Sequence, residues 1–344
     1  MSSRPFIAAR IEEWFNRKAE QFVLRLGWEP RVIAYTGYGN STDMRVLGRL
    51  VLVPKSSLVV QEAERFLARR GWRNFVSMPC VSRLATVSYG GRELSVDTDR
   101  QGYIDVTLPT GELEPGWHEV TLGTAGADPV AAEVVIVPDD ARFGLVSDID
   151  DTVLSTWLPR PFLAAWNSFI LTESRRQAVP GMAEMYADLL ERFPGAPVVY
   201  ISTGSWDTYA FLRRFLARHH YPTGPMLLTD WGPTNTGWFR SGRDHKTNAL
   251  RVLARDFPHV SWLLVGDDGQ HDPMIYAEFA EQAPNHVAAI AIRELNPVEQ
   301  MLAHGTPGER LDTVQSEDIE ARRPTVSGPE GYTLLRKVLR LLDR

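Results

Sequence analysis

The sequence predicts an α/β protein in which a parallel-sheet domain, covered by helices on both faces, follows a small β-sandwich-like domain. Two patterns carry this expectation. Beyond Pro138-Asp139-Asp140, continuous apolar strands alternate with amphipathic helices, which marks a parallel sheet buried on both sides. From Arg31 to Pro138, short β-rich pieces recur between turn residues, as in a small antiparallel sandwich. A chain of 344 residues with 44% apolar content can support both cores. The expected parts are residues 1–29, 30–140 and 141–344.

The first part is a helix. Phe6, Ile7, Ile11, Trp14, Phe15, Phe22 and Leu26 recur mostly at three- and four-residue spacing over 5–27 and end at Gly27. Its polar face mixes both signs, so packing on the protein's own core is favoured over a membrane-surface role. The second part reads VIAYTGYG, RVLGRLVLV, LATVSYGGRELSV, GYIDVTL, GWHEVTL and AAEVVIV as strands, with one helix at about 57–69. No catalytic constellation gathers there. The third part runs RFGLVSD, PGMAEMYADLLERF, PVVYIS, SWDTYAFLRRFLARHH, MLLTD, KTNALRVLARDF, SWLLVGD and HVAAIAI, and closes with the helix GYTLLRKVLRLLD.

Charge and composition narrow the partners. A formal net charge of −6 with both signs interspersed argues against nucleic acid, which requires a basic face. The single cysteine, Cys80, excludes an internal disulfide framework and fits a reducing compartment. The longest apolar runs, VAAIAI and WLLV, fall far short of the roughly 20 residues of a membrane-spanning helix, so no transmembrane segment is expected. The opening MSSRPFIAARIEEWF lacks the apolar stretch of a secretory signal, and a cytoplasmic location follows by default.

In a parallel sheet of this kind ligands bind at the carboxyl ends of the strands, and four strand or loop ends here carry polar chemistry. Asp148, Asp150 and Thr152 stand in SDIDDT; Ser202, Thr203 and Gly204 in YISTGS; Lys246 in RDHKTNAL; Gly266, Asp267, Asp268 and Asp272 in VGDDGQHDP. In this order they resemble the haloacid-dehalogenase-like phosphatase superfamily, with its Rossmann-type sheet. Its pattern is an apolar strand into D-x-D-x-T, then a Ser or Thr, a Lys and an acidic pair.

Phosphoryl transfer calls for these residue types. Asp148 can be the nucleophile that forms an aspartyl-phosphate. Magnesium, a hard ion that takes oxygen ligands, would be held by Asp148, Asp267 and the backbone carbonyl of Asp150. Asp150, two residues on in nearly extended chain, is the candidate general acid and then base, its proton retained because close carboxylates raise one another's pKa. Lys246 supplies positive charge to the transferring oxygens, while Ser202, Thr203 and Thr152 form the expected phosphate-binding set. Asp272 supports Lys246 or a metal-bound water, and Asp268 is a second supporting residue. Asp151 and Asp268 have an alternative reading as caps of backbone amides. A calcium loop counted from Asp148 fails, because its turn position falls on Val153 and its bidentate acid position on Pro159. His245 and His271 flank the site and read as polar neighbours, with substrate contact as the alternative.

Only about 25 residues (154–179) are left to cover the pocket, and a loop at 231–245 carries Trp231, Trp238 and Phe239 beside Arg240 and Arg243. A thin cover suits a large substrate or a lipid head group at an interface. Aromatics with arginines suit anionic lipid, with packing of the loop on its own domain as the alternative.

SDIDDTVLST, YISTGSW, His245-Lys246 and VGDDGQHDP followed by Tyr276, together with GYG and VLGR within 37–49 and GPEGYTLL at 328–335, resemble the App1 family of phosphatidate phosphatases. That resemblance implies magnesium-dependent removal of phosphate from phosphatidate or a related lipid phosphate, with peripheral contact to a membrane surface. Ser202-Thr203-Gly204-Ser205 departs from the Ser-Asn-Ser-Pro of the family, with Ser202 still matching. The alternatives are a phosphatase for a protein or soluble phosphoester, and a catalytically idle lipid- or partner-binding module. The presence of Asp148, Asp150, Lys246 and Asp267 weighs against the idle module.

Overall fold

In the computed structural model, the described residues are 20, 22–55, 78–80, 83–156, 176–229, 242–269, 271–304 and 324–343. The expected helix at 57–69, most of the one at 5–27, much of the 154–179 cover and the aromatic part of the 231–245 loop lie outside them. The described chain divides into two compact units between Pro138 and Asp139.

The first unit is a single mixed sheet. Its strands are β1 (Trp28–Gly39), β2 (Asp43–Pro54), β3 (Met78–Pro79), β4 (Leu84–Tyr89), β5 (Arg92–Asp97), β6 (Tyr103–Pro109), β7 (Gly116–Thr124) and β8 (Ala127–Ile136). They run β3-β2-β1-β8-β7-β4-β5, with β6 also on β2. Alternation makes the core: Met44, Val46, Leu50, Ile104, Leu122 and Val134 are buried in one cluster, while Asp43, Asp105 and Thr121 beside them on the same strands are exposed. The sequence suggested two stacked antiparallel sheets. Instead one sheet curls on its own core, bringing β5 near β6, and β1 pairs with β8 in parallel. Register shifts between Tyr35 and Tyr38 in β1 and between Leu122 and Thr124 in β7 supply the bends, as bulges do.

The second unit begins with β9 (Phe143–Ser147), a hairpin of β10 (Leu154–Thr156) and β11 (Arg176–Ala178), and α1 (Met182–Arg192). It continues through β12 (Val198–Ser205), α2 (Tyr209–Arg218), β13 (Met226–Thr229), α3 (Gly242–Asp256), β14 (Ser261–Asp267) and α4 (Asp272–Gln282). Last come β15 (Val287–Arg293), α5 (Pro297–His304), β16 (Thr325–Gly328) and α6 (Gly331–Leu342). Six strands in the order β13-β12-β9-β14-β15-β16 form a sheet in which every neighbouring pair is parallel. Both faces of the central strands are covered, and β9 is buried at every position. That is why FGLVS reads as a continuous small and apolar run.

Counted from β9, the strand order is 3-2-1-4-5-6, that of doubly wound sheets. Chain direction across the sheet therefore reverses between β9 and β14, and right-handed crossovers send their helices to opposite faces. α1 packs against α6, and α3 against α4. The carboxyl ends of β9 and β14, where Asp148 and Asp267 lie, are thus the switch point at which doubly wound sheets bind ligands. Among the described residues, no helix is long and apolar enough to cross a membrane.

The motif GPEG closes the unit. Gly331, at the start of α6, approaches Gly181 so closely that an added Cβ would sit 2.0 Å from the Gly181 carbonyl oxygen. Gly181 has φ 73, and the Gly331 amide donates to the Pro180 carbonyl at 2.9 Å. The obstacle is backbone, which cannot rotate away. Gly331→Ala is expected to lower stability by about 1–3 kcal/mol through overpacking, read as a lower urea midpoint at unchanged slope.

Candidate functional site

The end of β9 is anchored before any functional side chain appears. The Ser147 hydroxyl lies 2.6 Å from the Tyr186 hydroxyl and donates to the Asp148 carbonyl at 2.6 Å. The Asp148 amide donates to the Val265 carbonyl of β14. The chain then turns tightly: the amides of Val153 and Leu154 both donate to the Ile149 carbonyl, and the Asp151 amide to the Leu154 carbonyl. Asp151 takes the left-handed conformation at φ 58, which short polar side chains tolerate best after glycine.

Three elements deliver carboxylates to one spot. Asp148 follows β9, Asp267 ends β14 and Asp272 opens α4; they are 1%, 0% and 0% exposed. Gly266 makes the approach of α4 feasible, since a Cβ there would lie 2.5 Å from Asp272 Oδ2. One carboxylate oxygen from each of the three lies within 4.8 Å of the others. Lys246, in the second turn of α3 and equally buried, holds Asp148 Oδ1 at 2.7 Å and Asp272 Oδ1 at 2.5 Å. Asp267 Oδ1 accepts from the Gly269 amide at 2.8 Å.

The remaining oxygens are the informative ones. Oδ2 of Asp148, Asp267 and Asp272 is buried with no hydrogen-bond partner among the described residues, as is the Thr152 hydroxyl. Three buried carboxylates against one ammonium leave a formal excess of two negative charges, which a dry site does not tolerate without protons or a cation. Burial drives the Asp148 carboxyl well above its usual range; Lys246 pulls it back only in part, and Asp272 and Asp150 push it up again. Asp267 is raised well above its usual range by burial and then by Asp272, Asp148 and Asp151. Burial lowers the Lys246 ammonium pKa, but Asp148, Asp272 and Asp267 outweigh it and leave the group more basic than usual. Hard oxygen donors, buried and short of positive charge by two, fit a divalent cation such as magnesium. Its carboxylates would be Asp148, Asp267 and Asp272.

The other expected residues fall at different distances from this centre. Asp150 is half-buried, and its Oδ2 accepts from the Ser202 hydroxyl at 3.0 Å; that hydroxyl accepts from the Gly204 amide at 2.9 Å. Its carboxylate is therefore turned toward β12, and Asp272 makes the third carboxylate of the cluster. The Thr203 methyl faces Gly242, and its carbonyl accepts from Thr229. Asp268 caps backbone: its Oδ1 accepts from the Leu295 amide at 2.8 Å. The His245 ring contacts the Leu227 carbonyl at 3.0 Å, and His271 is the exposed N-cap of α4. Sequence reasoning passed over Arg293, whose signal was the same as that of Asp148: a charge at the end of the buried run VAAIAIR.

Residues 143–294 match the family described as the catalytic domain of phosphatidate phosphatase APP1. The chain is 28% identical to "Phosphatidate phosphatase APP1" of Saccharomyces cerevisiae over 201 residues, which is 57% of this chain and 34% of that protein. It is 24% identical to an uncharacterised protein of Schizosaccharomyces pombe over 213 residues, 59% of this chain and 35% of that one. The chain thus spans about a third of the length of these curated relatives. Among solved structures, a carbohydrate acetylesterase from Xanthomonas citri covers 78% of this chain and 70% of its own at 12% identity and a TM-score of 0.27, a likeness too low to bear on fold or chemistry.

The charge imbalance has a measurable consequence without any substrate. Raised carboxyl pKa values mean that stability is fully present below the ordinary carboxylate pKa of about 4 and is lost as pH rises through the elevated folded-state values. The metal-free protein should therefore melt at progressively lower temperature as pH is raised above about 5 in chelator, more steeply than Asp267→Asn. Millimolar magnesium should flatten the wild-type profile. A wild-type profile parallel to that of Asp267→Asn would contradict the imbalance.

Proposed function

We propose that this chain, whose residues 143–294 belong to the App1 catalytic-domain family, is a magnesium-dependent phosphatase acting on phosphatidate or a related lipid phosphate through an aspartyl-phosphate on Asp148. The observation that carries the chemistry is the buried group of Asp148, Asp267, Asp272 and Lys246 at the point where the parallel sheet reverses. We read that sheet as haloacid-dehalogenase-like on its strand order and the D-x-D-x-T at its central strand. The lipid substrate rests on the family match and on the printed name of the yeast relative.

The residues divide the work as follows. Asp148 Oδ attacks phosphorus, the phosphorus–ester oxygen bond breaks, and the departing oxygen takes the proton of Asp150, giving the free alcohol and an acyl phosphate. Asp150, now a carboxylate, takes a proton from water as that water attacks phosphorus, releasing inorganic phosphate and restoring Asp148. Ser202 sets the direction of the Asp150 carboxylate before reaction. Ser202 and Thr152 offer their hydroxyls to the phosphate oxygens, and Thr203 contributes backbone at most. Lys246 fixes positive charge beside Asp148, so that an anion can attack an anion. A magnesium ion held by Asp148, Asp267 and Asp272, with Asp150 lending its carbonyl, would supply Lewis-acid neutralisation of phosphate charge. Asp268 and Asp151 hold backbone. A phospholipid substrate brings the chain to the surface of a membrane, on the cytoplasmic side, without crossing it.

The test is phosphate release from phosphatidate in mixed micelles and from a soluble aryl phosphate, with magnesium or with chelator. Wild type should act on both esters only with magnesium, and Asp148→Asn should lose at least about 10³-fold of kcat. Equal rates for wild type and Asp148→Asn would refute the nucleophile. Activity confined to the soluble ester would keep the chemistry and remove the lipid.

A further inference from the structure

Arg293 is the last residue of β15, paired across the sheet with Asp267 of β14 on one side and Gly328 of β16 on the other. Its guanidinium is buried, with the residue 5% exposed. Nη1 donates to the Asp151 carbonyl at 2.7 Å, Nη2 to Glu299 Oε1 at 2.7 Å, and Nε reaches toward the Pro329 carbonyl at 3.4 Å. Glu299 in turn accepts from the Ser155 hydroxyl at 2.9 Å through Oε1 and from the Asn296 amide at 3.0 Å through Oε2. Arg293 and Glu299 thus grip both ends of the turn that begins at Asp150: Asp151 directly, and Ser155 through the carboxylate.

We infer that Arg293 is a positioning residue that orients the Asp150 carboxyl toward the leaving group by clamping the Asp151 carbonyl, with Glu299 as the counterion that holds the clamp; this rests on the phosphatase reading above. The backbone makes such a clamp necessary. Asp151 sits at φ 58, a conformation strained for a non-glycine residue that persists only where its surroundings fix it. The gripped carbonyl belongs to the peptide between Asp151 and Thr152, and the Asp151 amide on the other side donates to the Leu154 carbonyl, so the residue directly after Asp150 is fixed at both its peptides, and releasing it lets Asp150 swing away from Ser202.

The chemistry of the pair suits this task better than it suits stabilisation. A buried ion pair is weak evidence for stability, since well-packed apolar residues do as well or better. A planar guanidinium donates in two fixed directions at once, one toward a backbone carbonyl and one toward a carboxylate, which an ammonium or an apolar pair cannot reproduce. Burial would raise the Glu299 carboxyl, but the hydrogen bonds from Arg293 and the Asn296 amide prevail and hold it below its usual range, so the counterion stays charged.

Leaving-group dependence separates positioning from mere folding. A misdirected acid slows departure of an alkoxide, as from phosphatidate, and hardly affects a good aryl leaving group. Arg293→Lys should lower kcat on phosphatidate about 10–100-fold, keep KM within about twofold and keep kcat on an aryl phosphate within about threefold. If Arg293→Lys fails to fold, the double variant Arg293→Met with Glu299→Met decides: it removes the buried charges together and should fold, with the same loss confined to phosphatidate. Equal loss on both esters, or full phosphatidate turnover in the double variant, overturns the clamp while leaving the phosphatase reading intact. A wild type that releases phosphate from neither ester overturns that reading and the clamp with it.

Discussion

The second unit depends on a charge problem: three carboxylates, Asp148, Asp267 and Asp272, are held out of water around a single ammonium. Isolated, each would cost several kcal/mol to desolvate, and their mutual repulsion adds to that. A flexible scaffold would separate them. The central strands prevent this because β9 and β14 are locked in parallel register along their length, from Phe143 against Ser261 to Ser147 against Val265. The two strand-end carboxylates then emerge side by side, and α4 brings the third over a position that has no side chain. The rest of the fold serves to keep these groups where solution chemistry would not put them.

Beneath the cluster the polar accounting is tight. Tyr276 donates to the Val265 carbonyl at 3.1 Å, Tyr221 to the Val153 carbonyl at 2.9 Å, and Tyr186 meets Ser147 at 2.6 Å. Each hydroxyl therefore reaches backbone or a hydroxyl near the ends of β9 and β14 and brings no further charge. Burial raises Tyr186 and Tyr276 well above the ordinary phenol range, so both remain neutral. The layer under the site is thus polar, satisfied and uncharged, in contrast to the under-neutralised layer above it. Satisfied networks fix geometry, whereas orphaned carboxylate oxygens solicit a ligand.

Much of this was legible in the sequence because period and position carry it. Continuous apolar runs ending in Asp gave the parallel sheet and the edge where its carboxylates gather, and Asp148 and Asp267 converge as their strand ends require, with Lys246 reaching Asp148 from α3. What was not legible depends on three-dimensional direction. SDIDDT does not say that Asp150 turns toward Ser202 while Asp272 enters the cluster, because the left-handed residue at 151 redirects the chain after one extended step. The curl of the first sheet was hidden for a similar reason: alternation reports which side chains face inward, and one sheet folded on itself alternates just as two stacked sheets do. Arg293 was passed over because its partners, Asp151 and Glu299, come from segments 142 residues back and 6 residues on.

Lys246 shows how the charge problem and the chemistry meet. An ammonium has three donors, and two are spent on Asp148 and Asp272. The third is enough for one phosphate oxygen, and an ammonium can offer it without releasing the other two. The same arithmetic sets an order of events. A phosphate dianion approaching the bare cluster meets a formal excess of two negative charges in a low dielectric, where repulsion is severe. A divalent cation held by Asp148, Asp267 and Asp272 would cancel that excess, and Lys246 keeps its remaining donor for an anion. On the proposed reading a cation would therefore precede the phosphate at this set of buried side chains, whichever ester delivers it.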